Sequence, residues 1–346
     1  MDTSPPERLN LALAAGLGVV HLAVLVALPL WLLPLSPLWG WLLLLPMALT
    51  PTLWSLTHEA VHGSLARARP LNDRLGRLLA GLYGAPFQVL RLGHLMHHRF
   101  NRTALNRVEV VESAPPTPRE RAGYYARLFG GLYLGEIACA PLAILPKRAR
   151  GLMVALAFGA ELEDGRSMAP AARRQLLEEP GRTKMRTEGV LIALGLAGAL
   201  ALFGAHWWML ALALLGRGLV VSGLDNVYHY GNALDERAAG SDLPLPRPLR
   251  LLFLNFNYHG THHARPHLPW TALPGAFVEL DRRFAGPFST ALWRQLDGPI
   301  PEQAFVAQGA GDEAGPEAHD DEAGPGRHDD RAASEARDEE RQATAA

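Results

Sequence analysis

Fourteen histidines stand in this 346-residue chain, and eight of them fall into three short clusters. They are HEAVH (His58 and His62), HLMHH (His94, His97 and His98) and HGTHH (His259, His262 and His263). A ninth, His229, precedes the third cluster by 30 positions. Residues four apart on a helix lie nearly above one another, and residues three apart nearly so. His58 and His62 can therefore face one metal ion. In H-x-x-H-H the first histidine pairs with either of the last two. The adjacent pair diverges by about 100° on a helix of 3.6 residues per turn, which suits two ions better than one. A lone histidine is usually a surface or packed residue, but two copies of H-x-x-H-H in one chain are not explained that way. The single cysteine, Cys139, excludes both a disulfide framework and a thiolate-rich metal site. Imidazoles in such number suit iron, copper, zinc or nickel.

HEAVH also reads as H-E-x-x-H, two zinc ligands and a general-base glutamate on one helix of a metalloprotease. That reading needs one further ligand and leaves six clustered histidines without a task. Glu59 is instead expected to orient a histidine from behind, or to be a helix-surface acid.

The elements that must position these clusters are apolar. Residues 11–33 and 38–57 carry no formal charge, and roughly 20 apolar residues cross a bilayer core as a helix. Four residues, 34–37, join them as a turn, which predicts a transmembrane hairpin. No small-residue cleavage site follows the first run, so it reads as a retained span. Residues 190–203 and 207–224 predict a second hairpin. Trp207 and Trp208 take its interface position, and Arg217 must face protein interior or the inner surface. Residues 128–146 are interrupted by Glu136 and Pro141 and followed by Lys147, Arg148 and Arg150, so they read as re-entrant or interfacial. Between 58 and 127, 11 arginines stand against five acids, which marks a cytoplasmic face.

The expected fold is an all-α integral membrane protein. Four transmembrane helices form two hairpins, and a cytoplasmic helical cap holds the histidines. Both termini are then cytoplasmic, and the even span count puts His98 and His259 on one face. The net charge of -1 hides two populations, because residues 307–346 hold 12 of the 34 acids and only four of the 33 bases. The domain expectation is a membrane unit over 1–306 and an acidic disordered tail over 307–346. There is no glycine-rich nucleotide loop, and no nucleic-acid partner is expected.

The clusters resemble the three histidine boxes of the membrane fatty acid desaturases and of their relatives, the carotenoid hydroxylases and ketolases and the alkane hydroxylases. The likeness extends past the histidines. NYHGTHHARPHLPW, residues 257–270, is similar to the desaturase pattern N-Y-H-x-x-H-H-x-x-P-x-x-P-W. The resemblance covers about residues 11–274. It implies a non-heme di-iron centre using O2, with His58, His62, His94, His97, His98, His259, His262 and His263 as ligands and His229 as a ninth by its spacing. Acyl-CoA members carry an asparagine one turn before that histidine, joined to the metal through water. Here Asp225 stands four before His229 and Asn226 three before. Together with Asn257 of the matched pattern, and with Glu59 from the first cluster, they are the candidate supporting residues.

The implied reaction is O2-dependent desaturation of a fatty acyl chain, lipid or thioester linked. Hydroxylation or ketolation of a carotenoid, sterol or alkane is the alternative on the same scaffold. No heme-binding H-P-G-G segment and no cysteine motif occurs, so a separate electron donor of the ferredoxin, rubredoxin or cytochrome b5 type is implied. Arg91, Arg99 and Arg102 stand near the second box, where they could bind a phosphate or carboxylate head group; the cytoplasmic arginine bias accounts for them equally. The expected location is a bacterial inner membrane.

Overall fold

The computed structural model describes residues 3–305. The acidic stretch 307–346, with its expected disorder, lies outside the described residues. Helix α1 (Glu7–Leu22) continues through a π-helical stretch, Ala23–Leu32, to make one apolar rod of 26 residues. Pro29 sits inside that stretch. Its missing N–H and its ring break the regular ladder, and the wider turn absorbs the misfit. The chain returns through a 3-10 turn (Pro37–Leu43), α2 (Leu44–Ala48) and α3 (Thr50–His62), a second rod of 26 residues. Helix α3 stops at the second histidine of the first box because Gly63 takes φ +84°. The Gly63 N–H then reaches Ala60 O at 3.3 Å and the Ser64 N–H reaches Glu59 O at 2.9 Å, closing a left-handed helix end.

Helices α4 (Arg69–Tyr83) and α5 (Phe87–Phe100) fold back on α3. Leu53, Leu56, Ala60, Leu79, Phe87 and Leu90 form the buried core between them. Strand β1 (Val110–Val111) follows, and then α6 (Pro118–Ala126), which opens on a Thr117–Glu120 capping box. Next come α7 (Leu132–Leu142), α8 (Lys147–Phe158) and α9 (Ala169–Leu176). At 11 residues, α7 is only about 16 Å long at 1.5 Å per residue.

Helices α10 (Gly181–Phe203) and α11 (Trp207–Asp225) flank a one-turn break at Gly204, φ +48°, and pack against each other. Three stretches among the described residues are long and apolar enough to cross a membrane: Glu7–Leu32, Pro37–His62 and Gly181–Asp225. The expected leg at 190–203 thus begins earlier, at Gly181. The polar first turns belong to the helix because Glu188 is buried there, bonded to Arg77 and to the Gln88 N–H.

Arg217 of α11 is buried, as a charge at that depth requires. Its guanidinium donates to Leu82 O at 2.9 Å, in the last turn of α4, and to His21 Nε2 at 2.9 Å. The carbonyl end of a helix carries partial negative charge, so α4 supplies the counter-dipole. His21 turns its other nitrogen to Leu17 O at 2.8 Å and is a packed residue joining α1 to α11.

Helices α12 (Arg247–Leu252) and α13 (His259–Ala264) complete the cap. Thr52 and Ser55 of α3 donate to Leu252 O at 2.6 Å and Phe253 O at 2.8 Å, which brings the first box beside the third. Strand β2 (Ile300–Pro301) pairs in parallel with β1, Val110 opposite Ile300.

Candidate metal centre

The nine clustered histidines come from α3, α5, α13 and the turn after α11, and they sort into two groups. His58, His62, His94, His98 and His262 form one; His97, His229, His259 and His263 form the other. The ligand atoms of each group all lie within 4.8 Å of one another. The i, i+4 pair of each H-x-x-H-H box goes to one group and the middle histidine crosses to the other. Box two gives His94 and His98 to the first group; box three gives His259 and His263 to the second.

Neighbouring Nε2 atoms stand 2.9–3.2 Å apart: His62 to His94, His94 to His98, His98 to His262 and His262 to His58 in the first group, then His97 to His263, His263 to His259 and His259 to His229 in the second. Two nitrogens at about 2.1 Å from one ion, at right angles, stand about 3.0 Å apart. Protons cannot satisfy so many converging lone pairs, because each neutral imidazole carries only one N–H. The donor set therefore fits two metal ions.

Electrostatics agree. Burial holds His94, His98, His229, His259, His262 and His263 well below the usual histidine range, and crowding by neighbouring imidazoles adds to it. Such rings stay neutral, the form a metal requires. His97 is lowered by burial too, but a bond to Asn106 opposes the shift.

That bond is a support that the sequence does not announce. Asn106 Oδ1 accepts from His97 Nδ1 at 2.7 Å, which leaves the Nε2 lone pair for the ion. Asn106 sits in the loop after box two, and its own carbonyl accepts the Arg102 N–H at 3.0 Å. Nothing in the local sequence distinguishes it from a turn residue.

Of the supporting residues expected from sequence, Glu59, Asp225 and Asn257 bond elsewhere, while Asn226 sits against His229. Glu59 makes no hydrogen bond to a histidine among the described residues. Its carboxylate accepts from Ser64 Oγ at 2.9 Å and from the Trp270 N–H at 3.2 Å, so it ties α3 to the segment after box three instead of orienting a ligand. This also removes the metalloprotease reading, since His58 and His62 share their group with three further histidines and the glutamate faces away. Asp225 pairs with Arg127 at 2.7 Å. Asn226 accepts the His229 N–H on its backbone carbonyl at 3.0 Å, and its buried Nδ2 has no hydrogen-bond partner among the described residues. Asn257 donates to Leu243 O at 2.8 Å and fixes the chain entering α13. That short helix is further held by Asp242, which accepts the Thr261 N–H at 2.8 Å.

Two of the three arginines near box two, Arg91 and Arg102, turn inward, while Arg99 is exposed. Arg102 is buried against Glu109 at 2.6 Å and donates to the carbonyls of Asn232 and Ala233. Glu109 also accepts the Gly231 N–H at 3.2 Å. This ion pair clamps the loop after box two to the turn that carries His229. Arg91 is buried and faces Asp73 at 3.4 Å. Neither is placed to hold a head group.

A cavity of about 560 Å³ opens against both groups; His94, His97, His229 and His259 are in its wall. Trp54, Leu90, Leu132, Val221 and Phe256 give it an apolar lining, and Asp225 and Asn226 also border it. Trp54 stands edge-on to His94 with ring centres 6.3 Å apart, and Tyr83 lies 5.6 Å beyond Trp54. Tyr83 donates to Glu136 in the same wall.

Comparison with curated proteins gives no match. The sequence profile of the fatty acid desaturase family matches residues 34–295, a stretch that contains all nine clustered histidines. With three membrane-length apolar rods and histidines that could hold metal, the chain belongs to the fatty acid desaturase family of histidine-box oxidoreductases.

Proposed function

We propose that this protein desaturates a fatty acyl chain, lipid or thioester linked, with O2 at a non-heme di-iron centre. The observation that carries the reading is the contact between two histidine groups and one apolar cavity. Iron is favoured over zinc by ligand number. Structural and catalytic zinc is almost always four-coordinate, whereas the first group offers five nitrogens. The two irons, when bound, would supply the oxidising power to take hydrogen from an unactivated C–H bond.

The chain's own residues do the positioning. Trp54, Leu90, Leu132 and Phe256 hold a methylene chain against the histidine face and keep water away from it. Asn226, beside His229, has a buried amide without a hydrogen-bond partner among the described residues and is our candidate for the water-linked asparagine. Electrons come from a separate ferredoxin, rubredoxin or cytochrome b5 type donor. In the membrane, we read the break at Gly204 as dividing Gly181–Asp225 into two crossings, for four in all with the histidines on the cytoplasmic side. A bacterial inner membrane is the proposed location.

One observation favours the hydroxylase or ketolase alternative. Glu136, with Tyr83 on one oxygen, puts a carboxyl group into the cavity wall, where an oxygenated substrate would find a partner. Product analysis separates the two. Lipids and pigments from cells expressing the protein with a donor system should contain a new unsaturated acyl chain. A hydroxy or keto product without a new double bond would overturn the desaturase reading.

A further inference from the structure

A second cavity, of about 1000 Å³, is lined by none of the nine clustered histidines and lies between α1, α4, α10 and α11. One stripe of α10 lines it: Lys184, Glu188, Leu191, Gly195 and Ala199. These recur at three- and four-residue intervals and so share a face. The stripe is charged at one end and apolar for the rest of its roughly 22 Å, at 1.5 Å per residue. Across from it stand Val24 and Leu25 of the first rod and Leu210 and Leu214 of α11. Arg74 and Arg77 of α4 border the same cavity.

Two features distinguish this crevice from a packing fault. The first is space. A Cβ added at Gly81 or at Gly195, both in the lining, would meet nothing within 4 Å, so the glycines leave a channel that the protein does not fill. The second is charge. Arg74, Arg77, Lys184 and Arg217 line the crevice against a single acid, Glu188. Glu188 is already engaged by Arg77 at 3.0 Å and by the Gln88 N–H at 2.9 Å. Arg74 and Lys184 form no ion pair among the described residues.

An occupant must therefore be anionic at one end and apolar along its length. We propose that the crevice holds one anionic phospholipid of the surrounding membrane, its phosphate between Arg74 and Lys184 and an acyl chain along Leu191 and Gly195. The site is separate from the metal centre and does not depend on the reaction assigned to it.

The test uses the full-length protein purified in mild detergent. Native mass spectrometry would follow retained lipid after addition of phosphatidylglycerol or phosphatidylcholine. Wild type is expected to retain one phosphatidylglycerol at least tenfold more strongly than phosphatidylcholine. Gly195→Leu, which fills the channel, and the double variant Arg74→Ala/Lys184→Ala, which removes the charge, should each abolish that preference with metal content unchanged. Equal retention of the two lipids by wild type would overturn the proposal. So would an undiminished phosphatidylglycerol preference in whichever of the two variants is folded.

Discussion

His58 Nε2 lies 3.0 Å from His262 Nε2, although 204 positions separate them. Thr52 and Ser55, about two turns and one turn before His58, hold the pairing by donating to carbonyls at the end of α12. Box one and box three are therefore one structural unit, and the loss of either histidine should empty the first metal position. His262→Ala is expected to reduce bound metal from two ions to about one and to abolish turnover. Two ions with full turnover in His262→Ala would remove the ligand assignment.

Asn106 supports only the second group. Removal of a residue that orients a metal-bound histidine typically costs 10- to 100-fold in affinity. Asn106→Leu should therefore weaken one of the two metal positions by about that factor and leave the other at its wild-type affinity. Competition with a chelator reads this directly, as a biphasic release curve in the variant. A uniform weakening of both positions would assign Asn106 a general structural role.

The Arg102–Glu109 pair is almost wholly buried, with side chains 1% and 0% exposed. Removing one member of a buried pair strands the other charge and costs about 3–5 kcal/mol. Glu109→Ala should lower the thermal unfolding midpoint markedly and loosen metal at the His229 group, because the clamp on residues 231–233 is lost. An unchanged midpoint would show that the pair carries no net stability.

Acid should unfold the metal-free protein early. Five box histidines and His229 lie well below, and His97 below, the ordinary value of 6.5. Above pH 6.5 these rings are neutral in both folded and unfolded chains. Below it the unfolded chain takes up protons that the folded one refuses, so stability falls with pH. Glu136 works in the opposite direction: burial pushes it up to about 8, so its share of stability is present in acid and is lost as pH rises from about 4.5 through 8. The unfolding midpoint should drop from pH 7 to 5, and Glu136→Gln should remove the opposing contribution between about pH 4.5 and 8, steepening the acid limb and flattening the decline toward pH 8. A midpoint that climbs on acidification would contradict a buried neutral cluster.

Local spacing makes the eight box histidines legible in the amino-acid sequence, because ligands three and four apart repeat within about one helix turn. Which histidine serves which ion is not legible there, since it depends on how α5 and α13 face each other across the centre. Glu59 shows the same limit. Its position in H-E-x-x-H invites a role behind a ligand, but its partner Trp270 is 211 positions away and only the folded chain reveals it. Asn106 leaves no trace in sequence, because its function rests on the path of one loop. Arg217 is legible as a charge that must turn inward, yet its acceptors, the last carbonyls of α4, require the packing of α11 on that helix end. The apolar runs announce membrane rods, while the first turns of α10 resemble a polar loop because their charges are paired only in the fold.

The most direct test is the metal content of the full-length protein, purified from cells grown with iron and assayed by mass spectrometry of the metals. Two irons per chain are expected, falling to about one in His262→Ala. A single zinc per chain, with no iron, would contradict the di-iron centre and the oxidation chemistry built on it.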